Sequence, residues 1–297
     1  MVFALNSRLS QNLAKEFEKA WFVQAFFLLF VCLAFTGCTS LVSQRIKNAQ
    51  EYSSQHNMAV STIESGTFQI FAAYRSDETF NRNKLASVNQ ANKLHIVIEG
   101  DGYSWRSETR LSRDPTPKSP VGLYLANTIK GSVLYLGRPC QYGSVEKLGC
   151  HPKYWSTHRY GEEVIASYMQ IFDQAKTQYN VDQFEITGFS GGAYLALVLA
   201  SLRDDVVRVN TVAGLLDVDA WTDYHAISRM YVPYAPSQIL QKSIRTDFVH
   251  FCSDDDDVIP CRLTRDFVSK AESLGAYNHE IKSYEGYSHY NLWHVYE

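Results

Sequence analysis

From residue 67 onwards, short continuous apolar runs alternate with longer stretches in which apolar residues recur every three or four positions. The runs "TFQIFAAYR" (67–75), "LHIVIEG" (94–100), "SVLYLG" (132–137), "QFEITGF" (183–189), "VVRVNTVAGLLD" (206–217), "TDFVHFCS" (246–253) and "HEIKSY" (279–284) read as strands. Between them, "RYGEEVIASYMQIFDQAKTQY" (159–179), "GGAYLALVLASL" (191–202) and "LTRDFVSKAESLG" (263–275) read as helices. So does "SPVGLYLANTIKG" (119–131), with Ser119 at the N-cap, Pro120 at the first helical position and Gly131 past the end. Strands that are apolar throughout, each followed by a helix, predict an α/β fold: a three-layer sandwich around a mostly parallel sheet. In such sheets ligands bind beyond the carboxyl ends of the strands.

The first 66 residues follow other rules. "WFVQAFFLLFVCLAFT" (21–36) is apolar except for Gln24 and Thr36, is preceded by Arg8, Lys15 and Lys19, and ends in "FTGC". It resembles a bacterial lipoprotein signal, in which Cys38 becomes the lipidated first residue; an uncleaved membrane anchor is the other reading. Residues 1–38 are therefore expected to be a signal or anchor. The polar, Ser- and Gln-rich stretch 39–66 is expected to be a tether or an exposed helix leading to the domain, and 67–297 the folded domain. This organisation implies a place in the cell envelope, outside the cytoplasm, with the membrane as a partner. A chain of 297 residues, 45% hydrophobic, can bury a large core, and a net charge of -3 without a basic block argues against a nucleic-acid partner.

Four of the six cysteines lie in the domain. In an oxidising compartment they allow three pairings, and the two local ones, Cys140 with Cys150 and Cys252 with Cys261, are predicted as disulfides. The cysteine and histidine spacings do not support a metal site.

The chemistry concentrates at strand ends. In "GFSGG", between a predicted strand and a predicted helix, Gly188 and Gly192 leave room for the two elements to approach, while Ser190 takes the strained position between them. This resembles the nucleophile elbow of the α/β-hydrolase superfamily. The resemblance covers roughly residues 67 to 297 and implies that fold, with a serine nucleophile, a carboxylate and then a histidine in chain order. The loop "DDDDVIP" resembles the superfamily's acid loop, and counting back four from Pro260 selects Asp256; Asp217, in "GLLD", is the alternative acid. "YEGYSHYNLW" resembles the histidine loop, with Gly286 and His289 in a G-x-x-H arrangement; His294 competes, and His250 lies inside a strand. The oxyanion hole is expected from the N–H groups of Gly191 and Asp101, the latter in "IEGDGYSW", where Glu99 stands in place of the usual histidine. "YLGRPCQY" and "VAGLLD" followed by Trp221 also resemble a subgroup of uncharacterised bacterial α/β-hydrolase proteins. There Arg138 is either a substrate contact or half of a structural ion pair.

Together these features imply a serine hydrolase that cleaves an ester, thioester or amide of a small-molecule acyl substrate without a metal or organic cofactor. The alternative is a membrane-anchored binding or scaffolding lipoprotein that keeps the fold and lacks the activity.

Overall fold

The expected strands and helices are all present in the computed structural model, which describes residues 41–76 and 92–296 except 146, 148, 243 and 244. The chain divides into two compact units, Met1–Gln44 and Arg45–Glu297. Of the first, only residues 41–44 are described, and they are helical. The proposed signal and Cys38 lie outside the described residues. Among the described residues no helix is long and apolar enough to cross a membrane.

The second unit opens with α1 (residues 45–55), followed by β1 (Ala59–Ser65), β2 (Phe68–Arg75) and β3 (Lys93–Ile98). A two-stranded ribbon, β4 (Trp105–Ser107) and β5 (Arg110–Leu111), precedes α2 (Val121–Thr128) and β6 (Val133–Leu136). Then come α3 (Glu162–Tyr179), β7 (Gln183–Phe189), α4 (Gly191–Leu202), β8 (Val206–Val212), α5 (Val218–Tyr224) and α6 (Pro236–Lys242). β9 (Asp247–Ser253), α7 (Cys261–Ser273) and β10 (His279–Tyr284) complete the order, with a 3₁₀ turn at Leu292–Tyr296.

Eight strands form one sheet in the order β1-β2-β6-β3-β7-β8-β9-β10. Every pair from β6 to β10 is parallel; β1 with β2 and β2 with β6 are antiparallel. Because side chains alternate across a strand, β3 sends Leu94, Ile96 and Ile98 to one face and Val97 to the other. The first face packs on α3, α4 and α7, and the second on α1, α2 and the 3₁₀ turn, which gives the three layers. α4 is buried from Gly191 to Ser201, so it is apolar on every side. Each of its large apolar side chains contributes about 1.5 to 3 kcal/mol through removal from water, which anchors the helix that follows Ser190.

Three sequence expectations need correction. The expected tether at 39–66 belongs in large part to the folded unit: β1 pairs with β2 along its whole length, and α1 buries Ala49 and Ser53. The small, polar character of α1 and the largely exposed faces of β1 gave little apolar periodicity to read. α2 begins one residue later than expected, with Pro120 rather than Ser119 at the cap and no capping bond from its side chain. β8 ends at Val212 rather than at Asp217, because Ala213 takes a left-handed φ of 47° that leaves the strand.

Both predicted disulfides are formed. Cys140 pairs with Cys150, and Cys252 at the end of β9 pairs with Cys261 at the start of α7.

Candidate active site

Ser190 sits where β7 turns directly into α4, with φ 50° and ψ -122°, a backbone conformation that side chains rarely tolerate. The close approach that imposes it is visible at the flanking glycines. A Cβ on Gly188 would lie 2.5 Å from Ala193 Cα, and one on Gly192 would lie 2.4 Å from the Ile98 carbonyl oxygen. The turn is held from both sides: the Ser190 N–H donates to the Val212 carbonyl, and the Ser190 carbonyl accepts from the N–H groups of Ala193 and Leu215. The hydroxyl therefore stands at the carboxyl edge of the sheet on a fixed support.

The loops after β9 and β10 bring the two partners to it. His289 Nε2 is 3.0 Å from Ser190 Oγ, and His289 Nδ1 is 2.8 Å from Asp256 Oδ2. Since the carboxylate only accepts, Nδ1 carries the proton and Nε2 is left free to accept from the serine hydroxyl. The other Asp256 oxygen accepts from the N–H groups of Val258 and Ile259, both at 2.8 Å, so the acid is oriented by its own turn. Both Asp256 and His289 are buried.

The structure separates the competitors from this relay. Asp217 caps α5, with Oδ1 accepting from the Ala220 N–H and Lys270 Nζ 3.6 Å from Oδ2. The early end of β8 puts it there, and it is not the carboxylate on His289. His250 is buried between Thr211 and His279, and burial, with His279 beside it, pushes it down to about 3, well below the ordinary range of a histidine. His294 lies in the 3₁₀ turn with its ring stacked on Trp293.

The loop after β3 carries two carboxylates. Asp101 accepts from Arg138 at 2.9 Å, Arg159 at 2.7 Å and the Tyr160 hydroxyl at 2.8 Å. Burial alone would push its carboxyl up, but Arg159, Arg138 and Tyr160 outweigh that and hold it below the ordinary carboxylate range. Its side chain is thus committed, and its carboxylate packs against Gly191. Gly191 is the first residue of α4, and its N–H has no intrahelical acceptor. Arg138 is buried and donates to Asp101 and to the Arg159 carbonyl. Of the two sequence readings of Arg138, the structural ion pair is the one observed; it does not line the cavity at Ser190.

Glu99, which lines the cavity at Ser190, is held by other partners. Its carboxylate accepts from Gly100 N–H at 2.9 Å, from Gly122 N–H at 3.1 Å to each oxygen, and from the Tyr135 hydroxyl at 2.9 Å. It does for α2 what Ser119 was expected to do, satisfying an N–H of the first turn from a distant strand. Burial pushes it up to about 7, against the opposing pull of Gly100, Gly122 and Tyr135.

A cavity of about 650 Å³ opens beside Ser190 and His289. Its walls include Tyr103, Trp105, Trp221 and Tyr290, with Leu215, Val258 and Ile259 below. Trp221 was singled out in the sequence, and its Nε1 donates to the Val258 carbonyl at 2.8 Å. Arg159 and Tyr160 were missed as site residues because they read as the first residues of a helix, which begins only at Glu162. Tyr103, Lys118 and Tyr290 lie in loops whose apposition no local pattern reveals.

No family model matches the chain, and no curated protein matches it in sequence. Solved structures do match it in shape. Est1E from Butyrivibrio proteoclasticus is similar with a TM-score of 0.54 at 12% identity, over 80% of this chain and 94% of that one. An esterase of Pyrococcus furiosus is similar with a TM-score of 0.55 at 10% identity, over 82% and 87%. An α/β serine hydrolase homologue from Coxiella burnetii is similar with a TM-score of 0.53 at 14% identity, over 80% and 93%. The order of strands, the turn at Ser190 and these likenesses agree: the chain has the α/β-hydrolase fold.

Proposed function

We propose that this protein is a serine hydrolase that cleaves carboxylic esters through an acyl-enzyme. The observation that carries the reading is the unbroken chain of hydrogen bonds from Ser190 Oγ through His289 to Asp256. A serine hydroxyl needs a base to take its proton as it attacks, and the base needs a carboxylate to fix its tautomer and stabilise its charge. In this reading Ser190 Oγ bonds to the acyl carbon while His289 Nε2 takes its proton, and Asp256 stabilises the imidazolium. The N–H groups of Gly191 and Asp101 receive the negative oxygen. His289 then protonates the departing alcohol, and water, deprotonated by the same imidazole, releases the acid and restores the serine.

Esters lead over thioesters and amides because the similar structures include a thermostable esterase and the Pyrococcus furiosus esterase. The two disulfides support a site of action outside the cytoplasm, and attachment to the membrane through Cys38 or an uncleaved anchor completes the proposal.

The test is Ser190→Ala. Hydrolysis of p-nitrophenyl esters should fall by about 10⁴-fold or more, and labelling by a fluorophosphonate probe should vanish. Labelling of the variant at the wild-type rate would remove Ser190 from the mechanism, and failure of the folded wild type to label would favour a binding protein.

A further inference from the structure

The cavity beside Ser190 has a charged wall that the proposed mechanism does not use. Lys118 lines it, and its ammonium stands 4.0 Å from the centre of the Tyr103 ring, which lines it too. The guanidinium of Arg45 stands 5.0 Å from the centre of the same ring, and one of its nitrogens donates to the Thr116 carbonyl. Neither cation has a carboxylate within ion-pair distance among the described residues. A ring face attracts a cation through its quadrupole but cannot neutralise it, so two like charges gathered at one ring leave a positive potential at the cavity wall.

The other charged groups of the cavity do not cancel that potential. Asp101 is taken up by Arg138 and Arg159, one carboxylate between two guanidiniums. Glu99 faces Gly122 and Tyr135. On the side of the acid loop, Asp254 pairs with Arg265, Asp255 accepts from the Gly286 N–H, Asp256 faces His289, and Asp257, on the Tyr290 side, is exposed to solvent. These carboxylates other than Asp257 are thus committed, while among the described residues Lys118 and Arg45 have no carboxylate within ion-pair distance. The cavity that Lys118 lines is also lined by Trp105 and Tyr290, both exposed, which offer apolar area.

We propose that Tyr103, Lys118 and Arg45 form an anion subsite, and that the ester cleaved at Ser190 carries a negatively charged group on one side of the scissile bond. This rests on the assignment of Ser190 as nucleophile and adds a substrate class to it: anionic carboxylic esters. Lys118 acts as a specificity residue, through attraction to a part of the substrate that does not react.

The experiment compares two matched pairs of esters with the full chain at low ionic strength. One pair puts the charge on the acyl side: the p-nitrophenyl hemiester of glutaric acid against p-nitrophenyl valerate. The other puts it on the leaving group: 3-carboxyphenyl butyrate against phenyl butyrate. In one pair kcat/KM for the anionic member should exceed that for the neutral one by about two- to fivefold, the size of one charge pair at a solvent-open site. That ratio should fall to about one in Lys118→Gln, should reverse in Lys118→Glu, and should shrink in the wild type as salt is added. If the neutral esters are cleaved and neither anionic ester is preferred, or if the preference survives Lys118→Gln, the subsite is overturned while Ser190 keeps its role. If no ester is cleaved and the probe does not label, the assignment of Ser190 falls instead.

Discussion

Glu99 and Asp101 are the same chemical group two residues apart in one loop, and their surroundings drive them in opposite directions. Glu99 meets peptide N–H groups and a tyrosine, with no cation in contact among the described residues, and burial pushes it up to about 7. Asp101 meets two guanidiniums and stays ionised below the usual range. Between them lies the Gly100 peptide, and next to it the Asp101 peptide assigned to the oxyanion. One carboxylate ties the loop to α2 and β6, the other to the residues before α3. What separates their behaviour is the presence of opposite charge, since both are desolvated.

Asp101→Asn breaks the comparison most severely. It leaves Arg138 and Arg159 buried beside a neutral amide, so unfolding in denaturant should show a loss of about 3 to 5 kcal/mol. Arg138→Ala should cost less, about 2 kcal/mol, because Arg159 and Tyr160 still serve the carboxylate; a loss equal to that of Asp101→Asn would mean that the two arginines act as one unit.

Glu99→Gln sharpens the contrast with the smallest effect. A carboxyl whose affinity for protons is higher in the folded chain favours folding below about 4.5, the unfolded value, and that contribution is lost as the pH rises through about 7. The wild-type midpoint for thermal unfolding should therefore decline between pH 5 and 8 relative to that of Glu99→Gln, by about 2 to 4 °C for each kcal/mol involved. Parallel curves for the two proteins would show that Glu99 does not titrate in this window.

The strand and helix order was legible because apolar runs and periodic stretches alternate without interruption from 93 to 284. The relay was legible for a different reason: the turn at Ser190, the loop ending at Pro260 and the loop containing His289 each announce themselves by local glycine, proline or charge patterns. What stayed hidden depends on contact between distant segments. Arg159 approaches Asp101 across 58 positions, and Glu99 caps a helix 23 positions away. Neither partner carries a local mark of its role. β1 was missed because an edge strand with both faces largely exposed has no alternation to display.

The bond between Cys252 and Cys261 encloses Asp256 in a covalent ring, with its two halves anchored in β9 and α7. Without that closure the aim of the carboxylate would rest on the turn itself, chiefly on the peptide groups of Val258 and Ile259. Turnover would then follow the oxidation state of the surroundings: material produced where thiols stay reduced would have the correct topology yet a loosely pointed acid, and an oxidant added afterwards would restore its grip on the imidazole.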